Sequence, residues 1–218
     1  MKFARIDKLL DKPEGKSDKG IILLPGIKGH ALEDKRYRLL ANELKKRGFY
    51  FLRVNIWKDE KDIGDKTLNE VCLKIDESIN YIKSIGCKKI GFVGKSFGGG
   101  ILLSYNSKDI KAIVLWAPAI GLNTKSNINN LKRIKFSRIN NFTDIKISKD
   151  ILKKINYPIL VIQGTEDKIV PKENSEEIVK HLSKGFIKYV YGAGHSYENE
   201  SEILQVIKTT VDFFTKNL

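Results

Sequence analysis

An α/β protein with a mostly parallel sheet and helices on both faces is the fold this sequence predicts, and three features predict it. Short apolar runs alternate with amphipathic stretches of helical periodicity along the chain, the pattern of strand–helix–strand units that build parallel sheets. Several of the runs are apolar almost throughout, as strands covered on both faces are. Glycine-bearing loops follow the runs that end near residues 24, 93, 162 and 190, so their side chains would project at the carboxyl edge of the sheet, where open α/β sheets bind ligands. At 218 residues the chain suffices for one domain, 1–218, burying roughly 70% of its unfolded surface.

Strands are expected at 20–24, 50–55, 89–93, 112–116, 159–162 and 186–190, with residues 2–6 as an addition, which makes a sheet of about six or seven strands. After the first, the stretch 33–47 places Tyr37, Leu40, Ala41 and Leu44 on one helical face, with Gly48 as the left-handed residue that stops the helix. The stretch 67–85 carries a stripe of Leu68, Val71, Ile75, Ile79 and Ile82, and Thr67 with Glu70 has the spacing of a capping box. A further helix opens after Ser96, and a polar one covers 172–183. In 200–216, Ile203, Val206, Ile207, Thr210, Val211 and Phe214 face one way. The interval 119–157 breaks the alternation, because its 39 residues are too many for a plain strand-to-helix connection.

Ser96 is the first candidate for chemistry. It lies in Gly94-Lys95-Ser96-Phe97-Gly98-Gly99, directly behind a strand-like run. Gly94 and Gly98 have no Cβ to block a tight strand-to-helix reversal, and a serine at the tip of such a reversal presents its hydroxyl from a strained backbone. The N–H of Phe97 would open the helix and face negative charge forming nearby. A serine hydroxyl attacks when a neutral imidazole takes its proton and a carboxylate holds that imidazole. The chain has three histidines. His195, in Tyr191-Gly192-Ala193-Gly194-His195-Ser196 after the last run, is the expected base. His181 is expected on a helix surface, and His30 is read as lining a pocket or capping the helix that follows. For the acid, Glu166 and Asp167 both follow the run 159–162. The shorter, more rigidly held carboxylate makes Asp167 the first choice and Glu166 the alternative. The segment Ala117-Pro118-Ala119-Ile120-Gly121-Leu122, after the preceding run, holds no carboxylate.

With serine, acid and histidine in that order at three strand ends, the chain resembles the α/β-hydrolase family. The likeness runs from Ile21 to about Tyr197 and rests on the Pro25-Gly26-Ile27 loop, the Ser96 turn, the segment Gly164-Thr165-Glu166-Asp167-Lys168-Ile169-Val170-Pro171, and Gly192-Ala193-Gly194-His195. The last two look like segments of small carboxylesterases, monoglyceride-lipase-like enzymes and dienelactone-hydrolase-like enzymes. The resemblance implies a single-domain α/β-hydrolase fold whose strand order reverses between 20–24 and 89–93. It implies a serine hydrolase, carboxylesterase-like, that cleaves small carboxylic esters or thioesters through Ser96, His195 and Asp167 and an acyl-enzyme. The backbone N–H groups of Ile27 and Phe97 would form the oxyanion hole, and Ile27, Lys28, Ile169 and Val170 would contact substrate. Many relatives have His-Gly where this chain has Pro25-Gly26, a change a main-chain donor tolerates. Lys95 is basic where relatives vary. The interval 119–157 becomes a lid: either a cap whose apolar side covers the core, or a gate whose inner face accepts an acyl chain. It holds nine basic residues against two acidic ones. Two other readings stay open: a peptidase or amidase of the same fold, and a non-catalytic hydrolase-fold interaction module.

Net charge is +14. Lysine supplies 33 of the basic residues and arginine 7, whereas phosphate and base recognition favours the planar fork of arginine. The charge is therefore read as compositional, with no specific nucleic-acid partner. No run reaches the roughly 18 apolar residues that span a bilayer. The segment Met1-Lys2-Phe3-Ala4-Arg5-Ile6-Asp7 lacks the apolar core of an export signal. Cys72 and Cys87 are expected as reduced thiols, and no spacing suggests a metal site. The expectation is a cytoplasmic enzyme without metal or cofactor, acting on a small acyl substrate, with a homodimer left open.

Overall fold

The structure, a computed structural model, describes residues 7–58, 62, 66–105, 107–120, 147 and 149–218. Seven strands form one sheet: β1 (Asp7–Asp11), β2 (Lys19–Leu24), β3 (Tyr50–Asn55), β4 (Lys89–Lys95), β5 (Ile110–Trp116), β6 (Ile159–Gly164) and β7 (Gly185–Val190). The helices among the described residues are α1 (Lys35–Lys46), α2 (Leu68–Ser84), α3 (Phe97–Ser104), α4 (Lys149–Lys153), α5 (Lys172–His181) and α6 (Glu200–Asn217). The strand order is β1-β3-β2-β4-β5-β6-β7, and every pairing is parallel except β1 with β3. The result is a single-domain α/β fold with helices on both faces of a mostly parallel sheet.

Alternation along each strand sorts side chains into two layers. Ile22 and Leu24 face the layer of α2, α3 and α5 with Leu52, Val54, Ile113, Leu115 and Val161. Ile21 and Leu23 face the opposite layer, where α1 and α6 contribute Tyr37, Leu40, Leu44, Val206, Val211 and Phe214. The helices end as their sequences dictate. Thr67 and Glu70 form the capping box at the start of α2, Asp34 caps α1 through a bond from the Arg36 N–H, and Gly48 takes a φ of 80° just past α1.

The strand beside β3 is Asp7–Asp11, and the strand expected at 2–6 lies outside the described residues. β1 is an edge strand held partly by charge: the buried Arg53 on β3 donates from Nε to Asp11 Oδ2 at 2.9 Å and from Nη1 to the Leu32 carbonyl. Most of the expected lid, 121–146 and 148, also lies outside the described residues. The described end of that interval forms α4, and Leu152, Ile155 and Tyr157 are buried in the core layer of α2 and α5.

The order of the central strands creates the crevice. From β2 the chain crosses to β3 on one side and then to β4 on the other, so the reversal lies between β2 and β4, with Leu24 paired to Gly94. This is where the expected reversal was placed, and such a switch point opens a ligand crevice at the carboxyl ends of the strands.

Candidate active site

Ser96 sits at the β4–α3 junction with φ 50° and ψ −116°, a conformation costly for any residue with a Cβ. Bonds on both sides hold it there. Its N–H donates to the Trp116 carbonyl at 2.8 Å, and its carbonyl accepts from the N–H groups of Gly100 and Ala119. Glycine is required on each side of the turn: a Cβ on Gly94 would lie 2.8 Å from the Cα of Gly99, and one on Gly98 would lie 2.3 Å from the Pro25 carbonyl oxygen. Close packing of α3 on the β2 loop therefore sets where Ser96 points.

The three far-apart side chains meet. His195 Nε2 is 3.0 Å from Ser96 Oγ, and His195 Nδ1 is 2.7 Å from Asp167 Oδ2. The carboxylate is fully enclosed and the imidazole largely so, with side-chain exposures of 0% and 13%. Asp167 Oδ1 accepts from the N–H groups of Ile169 and Val170 at 2.9 and 2.8 Å, while Oδ2 also accepts from Gln163 Nε2 at 3.2 Å. Gln163 is itself buried and anchored, since Ser175 Oγ donates to its Oε1 at 2.6 Å. Glu166, the alternative acid, points to solvent.

Electrostatics suit a proton relay from serine to imidazole. Burial alone would raise the Asp167 carboxyl, but the bond from His195, the imidazole's charge and the two amide donors outweigh it, so the group lies below its ordinary range. Burial lowers His195, the Asp167 carboxylate opposes this, and the charges of Lys95 and Arg36 add to the lowering. The net result is an imidazole below its ordinary 6.5, hence neutral and able to accept a proton at pH 7.

The loop Pro25–Gly29 borders the serine. A Cβ built on Gly26 would lie 3.7 Å from the Ser96 Cβ. The Gly26 carbonyl accepts from Trp57 Nε1 at 3.1 Å and from the Gly29 N–H at 2.9 Å. In a trans peptide the N–H points opposite to the carbonyl, so these bonds turn the N–H of Ile27 away from Trp57. Trp57 also packs edge-on against Phe97, with ring centroids 5.6 Å apart. Of the expected substrate contacts, Lys28 and Ile169 are exposed and Ile27 is half-buried. Val170 is buried, its N–H on Asp167 and its carbonyl accepting from Gln163. Its main chain thus ties the acid to Gln163.

The other histidines are apart from this group. His30 is exposed, has φ 63° and pairs with Glu33 at 3.0 Å. The cap of α1 is Asp34 and not His30. His181 is less exposed than expected, because Glu177 one turn earlier binds its Nε2 at 2.8 Å. Gln163 and Arg36 were missed as parts of this site, and Lys95 was noted beside Ser96 without a role. A glutamine ending an otherwise apolar strand beside the acid was the one signal the sequence offered. Cys72 and Cys87 are free, and burial pushes the Cys87 thiol up to about 11. Among the described residues no cluster of three metal-ligating side chains occurs, and no helix is long and apolar enough to cross a membrane.

A strained serine, an enclosed imidazole and a buried carboxylate at the switch point of a parallel sheet define a protein of the α/β-hydrolase class. The sequence model of the dienelactone hydrolase family matches residues 6–213, and the chain belongs to that family. No curated protein matches the chain by sequence. Its structure is similar to Est1E from Butyrivibrio proteoclasticus, with a TM-score of 0.79 and 19% identity over 97% of this chain and 94% of that one. It is also similar to a monoacylglycerol lipase from Paleococcus ferrophilus, with a TM-score of 0.77 and 19% identity over 99% and 100% of the two chains. A dienelactone hydrolase from Anabaena variabilis superposes with a TM-score of 0.73 and 17% identity over 99% and 93%. At these identities the structural likeness speaks for the fold, and the family match makes the chain a member of a family of hydrolases.

Proposed function

We propose that this protein is a cytoplasmic serine esterase that hydrolyses small carboxylic esters or thioesters. The observation that carries the reading is the continuous bonded line Ser96 Oγ–His195–Asp167 in the β4 crevice. His195 takes the proton of Ser96 as the oxygen attacks the acyl carbonyl, and Asp167 holds the Nδ1–H tautomer and supports the imidazolium. The N–H groups of Phe97 and Ile27 receive the oxyanion, a role worth about 10²–10³ in rate per donor. His195 then protonates the leaving group, and water repeats the sequence on the acyl-enzyme. Ile27, Lys28 and Ile169 border the entrance and contact the substrate. Similar folds give this substrate class its support: in one solved structure ferulic acid is bound to Est1E, and another similar structure is that of a monoacylglycerol lipase.

The test is labelling with a fluorophosphonate probe beside turnover of p-nitrophenyl acetate and butyrate. Wild-type protein is expected to label and turn over, and Ser96→Ala to do neither. Folded wild-type protein that neither labels nor turns over would sink the esterase reading in favour of a binding module. Cleavage of aminoacyl amides in preference to esters would make the chain a peptidase.

A further inference from the structure

We propose that Lys95 is a positioning residue for the base: its buried amine, with the Arg36 guanidinium beside it, clamps the consecutive carbonyls of His195 and Ser196 and so sets the imidazole against Ser96. The proposal rests on the reading of His195 as base. Lys95 Nζ donates to the His195 carbonyl at 2.6 Å, and Arg36 Nη1 donates to the Ser196 carbonyl. Arg36 is itself held, its Nε 2.9 Å from Asp34 Oδ1 at the cap of α1. Lys95 precedes the nucleophile directly, so one dipeptide carries both the attacking oxygen and the group that anchors the loop of its base.

The loop needs such an anchor. It leaves β7 through Gly192 at φ 76°, passes His195 and reaches Tyr197 at φ 51°. Past His195 the Tyr197 hydroxyl fastens it to the Ile162 carbonyl at 2.8 Å. At His195 itself the ring is bonded to Asp167 and Ser96, and the backbone to Lys95. A methionine would fill the same space with little change of shape, yet remove this bond from the part-buried His195 carbonyl. Burying a cation is costly, and Lys95 is only 4% exposed. A lysine kept there against that cost is a sign of use rather than of packing.

The charge has a second effect. The groups facing Lys95 are Arg36 and Asp34 from α1 and its cap, Asp167 from the loop after β6, His195 from the loop after β7, and the ring of Tyr197 at 5.4 Å. Burial and Arg36 push the amine down to about 7, against the pull of Asp167 and Asp34. Where His195 titrates, below 6.5, the amine therefore carries its proton and repels another on the imidazole. The same side chain orients the base and keeps it unprotonated.

Lys95→Met and Lys95→Arg test this with two readouts: kcat and KM on p-nitrophenyl acetate, and the titration of His195 followed by NMR of its ring protons. Lys95→Met is expected to lower kcat about 10- to 100-fold through misplacement of the base, with KM nearly unchanged, and to move the His195 midpoint upward. Lys95→Arg keeps a cation and a donor, and is expected to hold the midpoint low and recover most of kcat. A Lys95→Met protein with wild-type kcat, or with an unmoved His195 midpoint, overturns the proposal. If Lys95→Met does not fold, Arg36→Met must move both readouts in the same direction, or the clamp is wrong. If the wild type hydrolyses no ester, the esterase reading fails while the histidine titration still decides the role of Lys95.

Discussion

Each residue of the proposed triad depends on neighbours that remove its alternatives. Asp167 has both oxygens committed, so its carboxylate cannot rotate away from His195. Asp167→Asn keeps the shape but permits the wrong imidazole tautomer, and kcat is expected to fall about 10⁴-fold in a steady-state ester assay. The lowered His195 also sets a pH dependence. Only the neutral ring accepts a proton, and its titration lies below 6.5. The profile of kcat/KM should therefore decline on the acidic side with its midpoint below 6.5; a decline centred at or above 6.5 contradicts the burial argument. Ser96, Asp167 and His195 were legible because each sits where a strand gives way to a glycine-bearing loop. Arg36, Gln163 and the role of Lys95 were not, because their partners are backbone carbonyls and a carboxylate oxygen whose directions exist only after the loops have folded.

At the scale of elements, the helices read directly from periodicity, and their ends from caps. Thr67 and Glu70 were legible because a capping box is local: Glu70 Oε2 accepts from the Thr67 N–H at 2.7 Å and the Glu70 N–H donates to Thr67 Oγ1 at 3.3 Å. Thr67→Ala is expected to cost about 1 kcal/mol in urea denaturation with kcat unaltered, since α2 lies away from Ser96. Gly98→Ala should behave in the opposite way. Its Cβ would meet the Pro25 and Leu24 carbonyl oxygens at 2.3 and 2.7 Å, forcing α3 from the β2 loop and lowering both the melting temperature and kcat. β1 was not read from the sequence because Asp7-Lys8-Leu9-Leu10-Asp11 shows no continuous apolar run. An edge strand bonded on one side needs none, and its buried tie, Arg53 to Asp11, spans 42 positions and leaves no local pattern.

For the whole molecule, the buried amine couples stability to pH. Lys95 titrates at about 7 in the folded chain and at its ordinary 10.5 when exposed by unfolding. Between these values the unfolded chain carries a proton the native chain lacks, so the free energy of unfolding rises with pH, by at most about 1.4 kcal/mol per unit. Below about 7 both states are protonated and the contribution is flat. Urea denaturation at pH 7, 8 and 9 should show wild-type stability gaining on Lys95→Met as pH rises; a constant difference between the two proteins would refute the assignment. The sheet was legible at this scale because alternating strands and helices leave few topologies, and the reversal beside β2 followed from the family likeness. The expected lid, 119–157, showed in the sequence only as an interruption of the alternation, and 121–146 and 148 lie outside the described residues.

The spread of the reacting groups over β4, β6 and β7 also bears on synthesis. A nascent chain that has left the ribosome as far as β5 already owns its nucleophile and the loop of Ile27, yet it has no base. Acid and base arrive with the last two strands, and α6 must then close over α1, made long before. On the proposed esterase reading, Ser96 thus gains its base only with the last strand, and activity awaits a single late event.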